Sequence, residues 1–324
     1  MKNTKKMYGM GPARRRRCRL SIALALALMC SLAATLKAQN IYVANNSDGT
    51  IGEYGLDGST VDASLITGAD RPIGIAISGN DLFEVNSNSG TIGEYTTSGG
   101  TVAASLVTGL DKPHAIAISG NDLFVTSRGS DAHNGAISEY TTSGTPVDAS
   151  LISGLYDPWG IAISGNDLFV GDAAGDTIGE YTTAGSIINA SLITGLDGPS
   201  GIAISGSDLF VANYTAGTIG EYTTSGATID ATLISGLNHP NGIAIYGNDL
   251  FIASDDSGTI GEYTTSGTTV DASLVTGLDN PWGIAISPVP EPSTVALVGL
   301  GAAALWPWRR CVRTSNRTKG AKSH

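Results

Sequence analysis

His114, His133 and His239 are the only histidines between residues 39 and 290, and with a neighbouring carboxylate they could ligate a metal. His239 precedes a proline whereas His114 follows one, so the two do not occupy equivalent places. Trp159 and Trp282 also follow prolines. An indole offers stacking area for a sugar or an aromatic ring and one N–H donor; the plainer reading is a pair of rings filling a cavity mouth. Asn241 stands in the same post-proline slot, and Arg128 opens a loop insertion. His114, Arg128, Trp159, Asn241 and Trp282 are therefore the expected ligand-binding face. No catalytic residue is assigned. Asp255-Asp256 could bind Ca2+ or another divalent cation, but a solvated acidic loop is the simpler reading, and no resident cofactor is expected. Glu84 stands where other copies of the same segment carry Val43, Val125, Val170, Val211 and Ile252. A buried, unpaired carboxylate is costly. The sequence therefore favours a local register shift that puts Val85 in the buried place, over a carboxylate in a channel.

Positioning these residues falls to a repeat. A Glu-Tyr pair ends at Tyr54, Tyr95, Tyr140, Tyr181, Tyr222 and Tyr263, at spacings of 41, 45, 41, 41 and 41 residues. An Ile-Ala-Ile segment beginning at Ile75 recurs in the same phase through Ile284. Each unit reads as four short strands: A like Gly201–Ile204, B like Leu209–Ala212, C like Thr218–Tyr222 and D like Ile229–Ile234. Tight Gly-Asn-Asp turns join A to B, and Thr-Thr-Ser-Gly turns join C to D, so neighbours are antiparallel. Four antiparallel strands in each unit of about 40 residues mark a propeller blade. The repeat opens on a B strand, Ile41–Ala44, and closes on an A strand, Ile284–Ser287. A ring explains both ends at once, because the last A strand completes the first blade and removes an exposed edge. A linear solenoid would need polar caps, and none is visible. Six equivalent glutamates, from Glu53 to Glu262, cannot all be one catalytic acid; hydrogen bonding and solvation suit them, with each Tyr packing between blades.

The recurring Pro-x-Gly-Ile-Ala-Ile followed by Leu-Phe-Val resembles the NHL-like and gluconolactonase-like six-bladed β-propellers over roughly residues 40–287. The resemblance implies an all-β fold of six blades with four antiparallel strands each. It is weak evidence for activity, because propellers host unrelated functions. Topology puts the D-to-A and B-to-C loops on one face and the tight turns on the other. Between copies the tight turns barely change. The B-to-C loops vary, with four extra residues within Arg128–Asn134, and so does the post-proline residue: Ile73, His114, Trp159, Ser200, Asn241, Trp282. A variable face opposite a uniform one suggests binding, against unselected drift in solvated loops. The expected function is an exported binding scaffold. The alternative implied by the resemblance is a metal-dependent lactonase- or lyase-like enzyme, although the candidate channel positions are mostly hydrophobic or small.

Charge separates this body from the two ends. Of 324 residues, residues 1–38 hold nine basic and no acidic side chains, and residues 39–290 hold 28 acids against Arg71, Lys112 and Arg128. A body this acidic excludes nucleic acid as a partner. The order Arg14–Arg17, an apolar run from Leu20 to Ala34, then Leu36-Lys37-Ala38 is that of a secretory signal peptide over 1–38. Cys18, Cys30 and Cys311 all lie outside the body, which must hold together by packing. At the other end Pro290-Glu291-Pro292, an apolar stretch from Val295 and Arg309-Arg310 follow one another. This closely resembles the PEP-CTERM sorting signal of Gram-negative bacteria over residues 289–313, leaving 314–324 as a basic tail. Two departures from that pattern are visible: Pro307 breaks the apolar run, and 14 residues follow Arg310. The resemblance implies recognition by an exosortase-type sorting protease and membrane contact through residues 295–308 before processing. It also implies a destination at the cell surface or in the extracellular matrix, where an exopolysaccharide or a surface protein would be the partner of the 39–288 propeller.

Overall fold

Leu82-Phe83 and its counterparts send large apolar side chains to opposite faces of a strand, so a sheet built on this pair must bury both faces. The computed structural model describes residues 39–131 and 133–287, and there the demand is met by six four-stranded antiparallel sheets stacked side by side. Blade 5 is typical: strand A is Pro199–Ser205, B Asp208–Asn213, C Thr218–Thr223 and D Thr228–Ser235. Blade 2 runs from Pro72 to Thr108, blade 3 from Pro113 to Leu155, blade 4 from Pro158 to Thr194, and blade 6 from Pro240 to Thr276. Blade 1 takes strands B, C and D from Asn40–Asn45, Thr50–Gly55 and Thr60–Thr67, and its strand A from Pro281–Ile286 at the far end of the repeat. Ile41 faces Ile286, Tyr42 faces Ala285 and Val43 faces Ile284 across that closing ladder. The fold is the six-bladed propeller expected from the repeat.

One apolar cluster fills each of the six junctions between blades. The Phe of one blade meets the Leu and Val of the next: Phe83 with Leu123 and Val125, and Phe210 with Leu250 and Ile252. Phe251 and Ala253 of blade 6 pack on Ile41 and Val43 of blade 1, so the ring is closed by packing as well as by pairing. Each Tyr of the Glu-Tyr pairs lies in such a junction. The outer D strands are mostly exposed; Ile66 in blade 1 and Ile234 in blade 5 are each the one buried apolar residue of their strand, while the longer strand of blade 3 buries both Ile152 and Leu155. Asp62, Asp148, Asp230 and Asp271 near the middle of these strands discourage edge-to-edge pairing.

Glu84 corrects the expected register shift. It pairs with Ile75 and Gly93, just as Val125 of blade 3 pairs with Ile116 and Ser138, so the ladder is in register. Glu84 and Val85 are both fully buried, on opposite faces. Tyr95 of its own blade is close enough to feel the Glu84 charge, and neither carboxylate oxygen finds a hydrogen-bond partner. Six near-identical ladders hold the register more firmly than one misfit carboxylate can disturb it.

Candidate functional site

Each strand A begins with a buried proline, and the residues on either side of it form two rings at one end of the channel. The outer ring precedes the proline: Arg71, Lys112, Asp157, Gly198, His239, Asn280. The inner ring follows it: Ile73, His114, Trp159, Ser200, Asn241, Trp282, and all six line a channel cavity of about 210 Å³. Deeper in, the wall is a girdle of Ile75, Ile116, Ile161, Ile202, Ile243 and Ile284. The B-to-C loops share this face. Ser87 donates its N–H to the Arg71 carbonyl, Arg128 to that of Lys112, Tyr214 to that of Gly198 and Asp255 to that of His239. The tight turns meet at the opposite face, where the Thr97 N–H reaches Asn80 and the Thr224 N–H reaches Ser207. Both facial assignments made from topology are thus seen in the structure.

His114, Trp159 and Trp282 converge. His114 stacks on Trp159 with centroids 4.8 Å apart and lies 5.3 Å from Trp282, and the two indoles are 5.8 Å apart. The Arg128 guanidinium sits 5.4 Å from the Trp159 ring and pairs with Asp157. Asn241 of blade 6 lines the same channel. Burial, reinforced by the positive charge of Arg128, pushes the His114 imidazole down to about 3, so the ring is neutral at ordinary pH. Three polar atoms here are buried without a partner: His114 Nε2, Trp159 Nε1 and Asn241 Nδ2. Two are obligate donors, so the mouth presents N–H groups to whatever enters. Trp282 is satisfied, donating to Asn280 Oδ1 at 2.7 Å, and Ser200 Oγ donates to the Pro240 carbonyl at 2.9 Å, tying blade 5 to blade 6.

The other histidines lie apart. His133 packs edge-on against Tyr156 and His239 stacks on Tyr214 at 4.3 Å. His239 Nδ1 lies 2.7 Å from Asp256 Oδ2. Tyr214 donates to Asp255, whose carboxyl is raised by burial and by the charge of Asp256. Among the described residues no three His, Cys, Asp or Glu side chains are grouped as metal ligands would be.

Beside the mouth, over blades 2 to 4, a second cavity of about 670 Å³ shares Ile73, His114 and Trp282 with the channel. Arg71, Lys112 and Arg128 line it. Arg128 was singled out from the sequence; Arg71 and Lys112 were not. The signal was present, since 112 − 71 = 41 is one repeat length and each residue stands directly before its proline.

A PEP-CTERM protein-sorting motif matches residues 288–310. The chain therefore carries this sorting signal, which implies export through an exosortase system and C-terminal membrane anchoring before processing. Pro290, Glu291, Pro292 and the 295–308 stretch lie outside the described residues, as does the 1–38 leader. Among the described residues no helix is long and apolar enough to cross a membrane. No curated protein matches the chain. Solved structures match its fold. A chain of a nidogen–laminin complex aligns at TM-score 0.65 and 19% identity, over 78% of this chain and 99% of that one. A protein of unknown function from Bacteroides caccae aligns at 0.60 and 15%, over 77% and 99%. A catalytically inactive virginiamycin B lyase from Staphylococcus aureus with quinupristin aligns at 0.56 and 21%, over 78% and 94%. At these identities the likeness is one of fold.

Proposed function

We propose that this protein is a non-enzymatic binding scaffold, exported and sorted to the cell surface or extracellular matrix of a Gram-negative bacterium, where the channel-mouth face engages a glycan. The inner ring carries this reading. Six equivalent positions in nearly identical blades hold five different residue types, and two indoles and an imidazole meet there with two unpartnered N–H donors. Aromatic faces stack on the apolar faces of sugar rings, while buried donors gain most from a hydroxyl or carboxylate acceptor. The opposite face, built of repeated tight turns, is the structural one. The sorting motif supports the destination, and an exopolysaccharide is the partner this chemistry suits best.

A glycan array read with the wild-type protein and Trp159→Ala tests the reading. Binding to a defined set of glycans that falls at least about tenfold in the variant, with melting unchanged, is the expected result. An array without ligand, repeated with calcium present, removes the glycan reading.

A further inference from the structure

The described residues contain 28 carboxylates and three Lys or Arg side chains, and all three cations line the one cavity beside the channel mouth. Among the described residues Arg128 is the one Lys or Arg that pairs with a carboxylate, that of Asp157. Arg71 and Lys112 therefore stand unpaired in a body where carboxylates are plentiful. Arg71 has only long contacts, 3.4 and 3.5 Å, to the Asn46 amide oxygen.

Both cations also sit in an unfavourable backbone conformation, with φ of +59° at Arg71 and +52° at Lys112. The left-handed region costs a residue with a side chain roughly 1 kcal/mol or more. Blade 5 fills the same place with Gly198, blade 1 with Asn280 at φ +61° and blade 6 with His239 at φ +50°. Two long cations are thus held on neighbouring blades where glycine or asparagine is easier. His114 adds an independent sign of a ligand: it is only 5% exposed, lines this cavity, and leaves Nε2 without a partner. Trp282 lines the cavity too, and Asp131 and Asp157 are its acids, so cations outnumber carboxylates in its wall.

We propose that this cavity is the subsite for an acidic sugar unit of the glycan, with Arg71 and Lys112 meeting its carboxylate and the Trp282 edge of the mouth receiving its ring. The inference rests on the glycan-binding reading and names the class of glycan. The long-range field of the acidic body repels anions, but it is screened beyond about 10 Å at 0.1 M salt, so selection falls to these few local cations. Each mouth donor and each cation needs an electron-rich oxygen, and a uronate supplies both hydroxyls and a carboxylate.

Calorimetric titration of the purified protein with hexagalacturonate, with neutral maltohexaose and with a sulfated oligosaccharide of similar length tests this. The variant is Arg71→Asn with Lys112→Asn, since Asn280 shows that this position accepts asparagine. Hexagalacturonate is expected to bind at least about tenfold more tightly than maltohexaose, and the double variant to lose that advantage while melting unchanged. Equal affinity for charged and neutral sugars, indifference to the double variant, or no binding of hexagalacturonate overturns the acidic-sugar assignment. Neutral binding that Trp159→Ala abolishes would leave the glycan-binding reading standing without it, and preference for the sulfated chain would replace carboxylate by sulfate and so overturn the uronate assignment.

Discussion

A carboxylate with no partner stands at the junction of blades 1 and 2. Burial pushes Glu84 up to about 7, with the Asn86 side chain opposing without forming a hydrogen bond of acceptable geometry. The folded protein therefore holds the Glu84 proton more tightly than the unfolded chain does. Its stability should be greatest below the unfolded value of 4.5 and fall as pH rises toward about 7, by on the order of 3 kcal/mol. Glu84→Val installs the residue of four equivalent strands. Its stabilising effect should be larger at pH 8 than at pH 4 by about that amount. Denaturant unfolding of both proteins across this range checks it, and parallel curves would mean that Glu84 finds a partner in solution. Glu94, Glu139, Glu180, Glu221 and Glu262 are also raised, first by burial and then by an Asp on the paired strand, but they are common to both proteins and cancel in the comparison. In blade 1 the equivalent Glu53 accepts hydrogen bonds from Asn40 at 2.6 Å and from Tyr42 at 2.8 Å. The sequence marked Glu84 as out of place. It did not show how it would be accommodated, because the register depends on both neighbouring ladders.

Among the elements, strand A shows why the repeat spells Pro-x-Gly. A Cβ on Gly201 would lie 2.1 Å from the Asn241 carbonyl oxygen of the next blade, and Gly74, Gly160, Gly242 and Gly283 face the same contact. Inner strands crowd together around the channel, and glycine lets their backbones approach. Blade 3 carries Ala115 instead, where Thr126 Oγ1 accepts from the Ala115 N–H and donates to the Trp159 carbonyl, both at 2.9 Å. Gly201→Ala should cost about 1–3 kcal/mol of stability, measured by thermal or chemical unfolding. A loss within experimental error would mean that blades 5 and 6 can separate freely at the axis. The strands themselves were legible, because alternation and turn residues are local. The glycine was visible only as a recurring letter, since its reason is a carbonyl one blade away.

At the scale of the whole molecule, the offset phase of the repeat foretold the closure: a chain that begins on strand B and ends on strand A can satisfy both only as a circle. Removing residues 281–290 takes the inner strand from blade 1 and should lower the melting temperature sharply or prevent folding. Unchanged melting would contradict the closing ladder. The ring of residues at the channel mouth was legible in part. Variation among copies located the mouth ring, because equivalent residues of a ring must face one another. The cation-lined cavity was not, because it also needs the blade 3 loop that carries Arg128 over Trp159.

The circle is fastened where Gln39 Nε2 donates to the Ser287 carbonyl, the Asn40 N–H to Ser287 Oγ, and the Ser287 N–H to the Asn40 carbonyl. The sorting signal begins at residue 288, the very next position. The first and last strands of the repeat are thus held on one blade, so losing these few bonds would free both ends of the ring together.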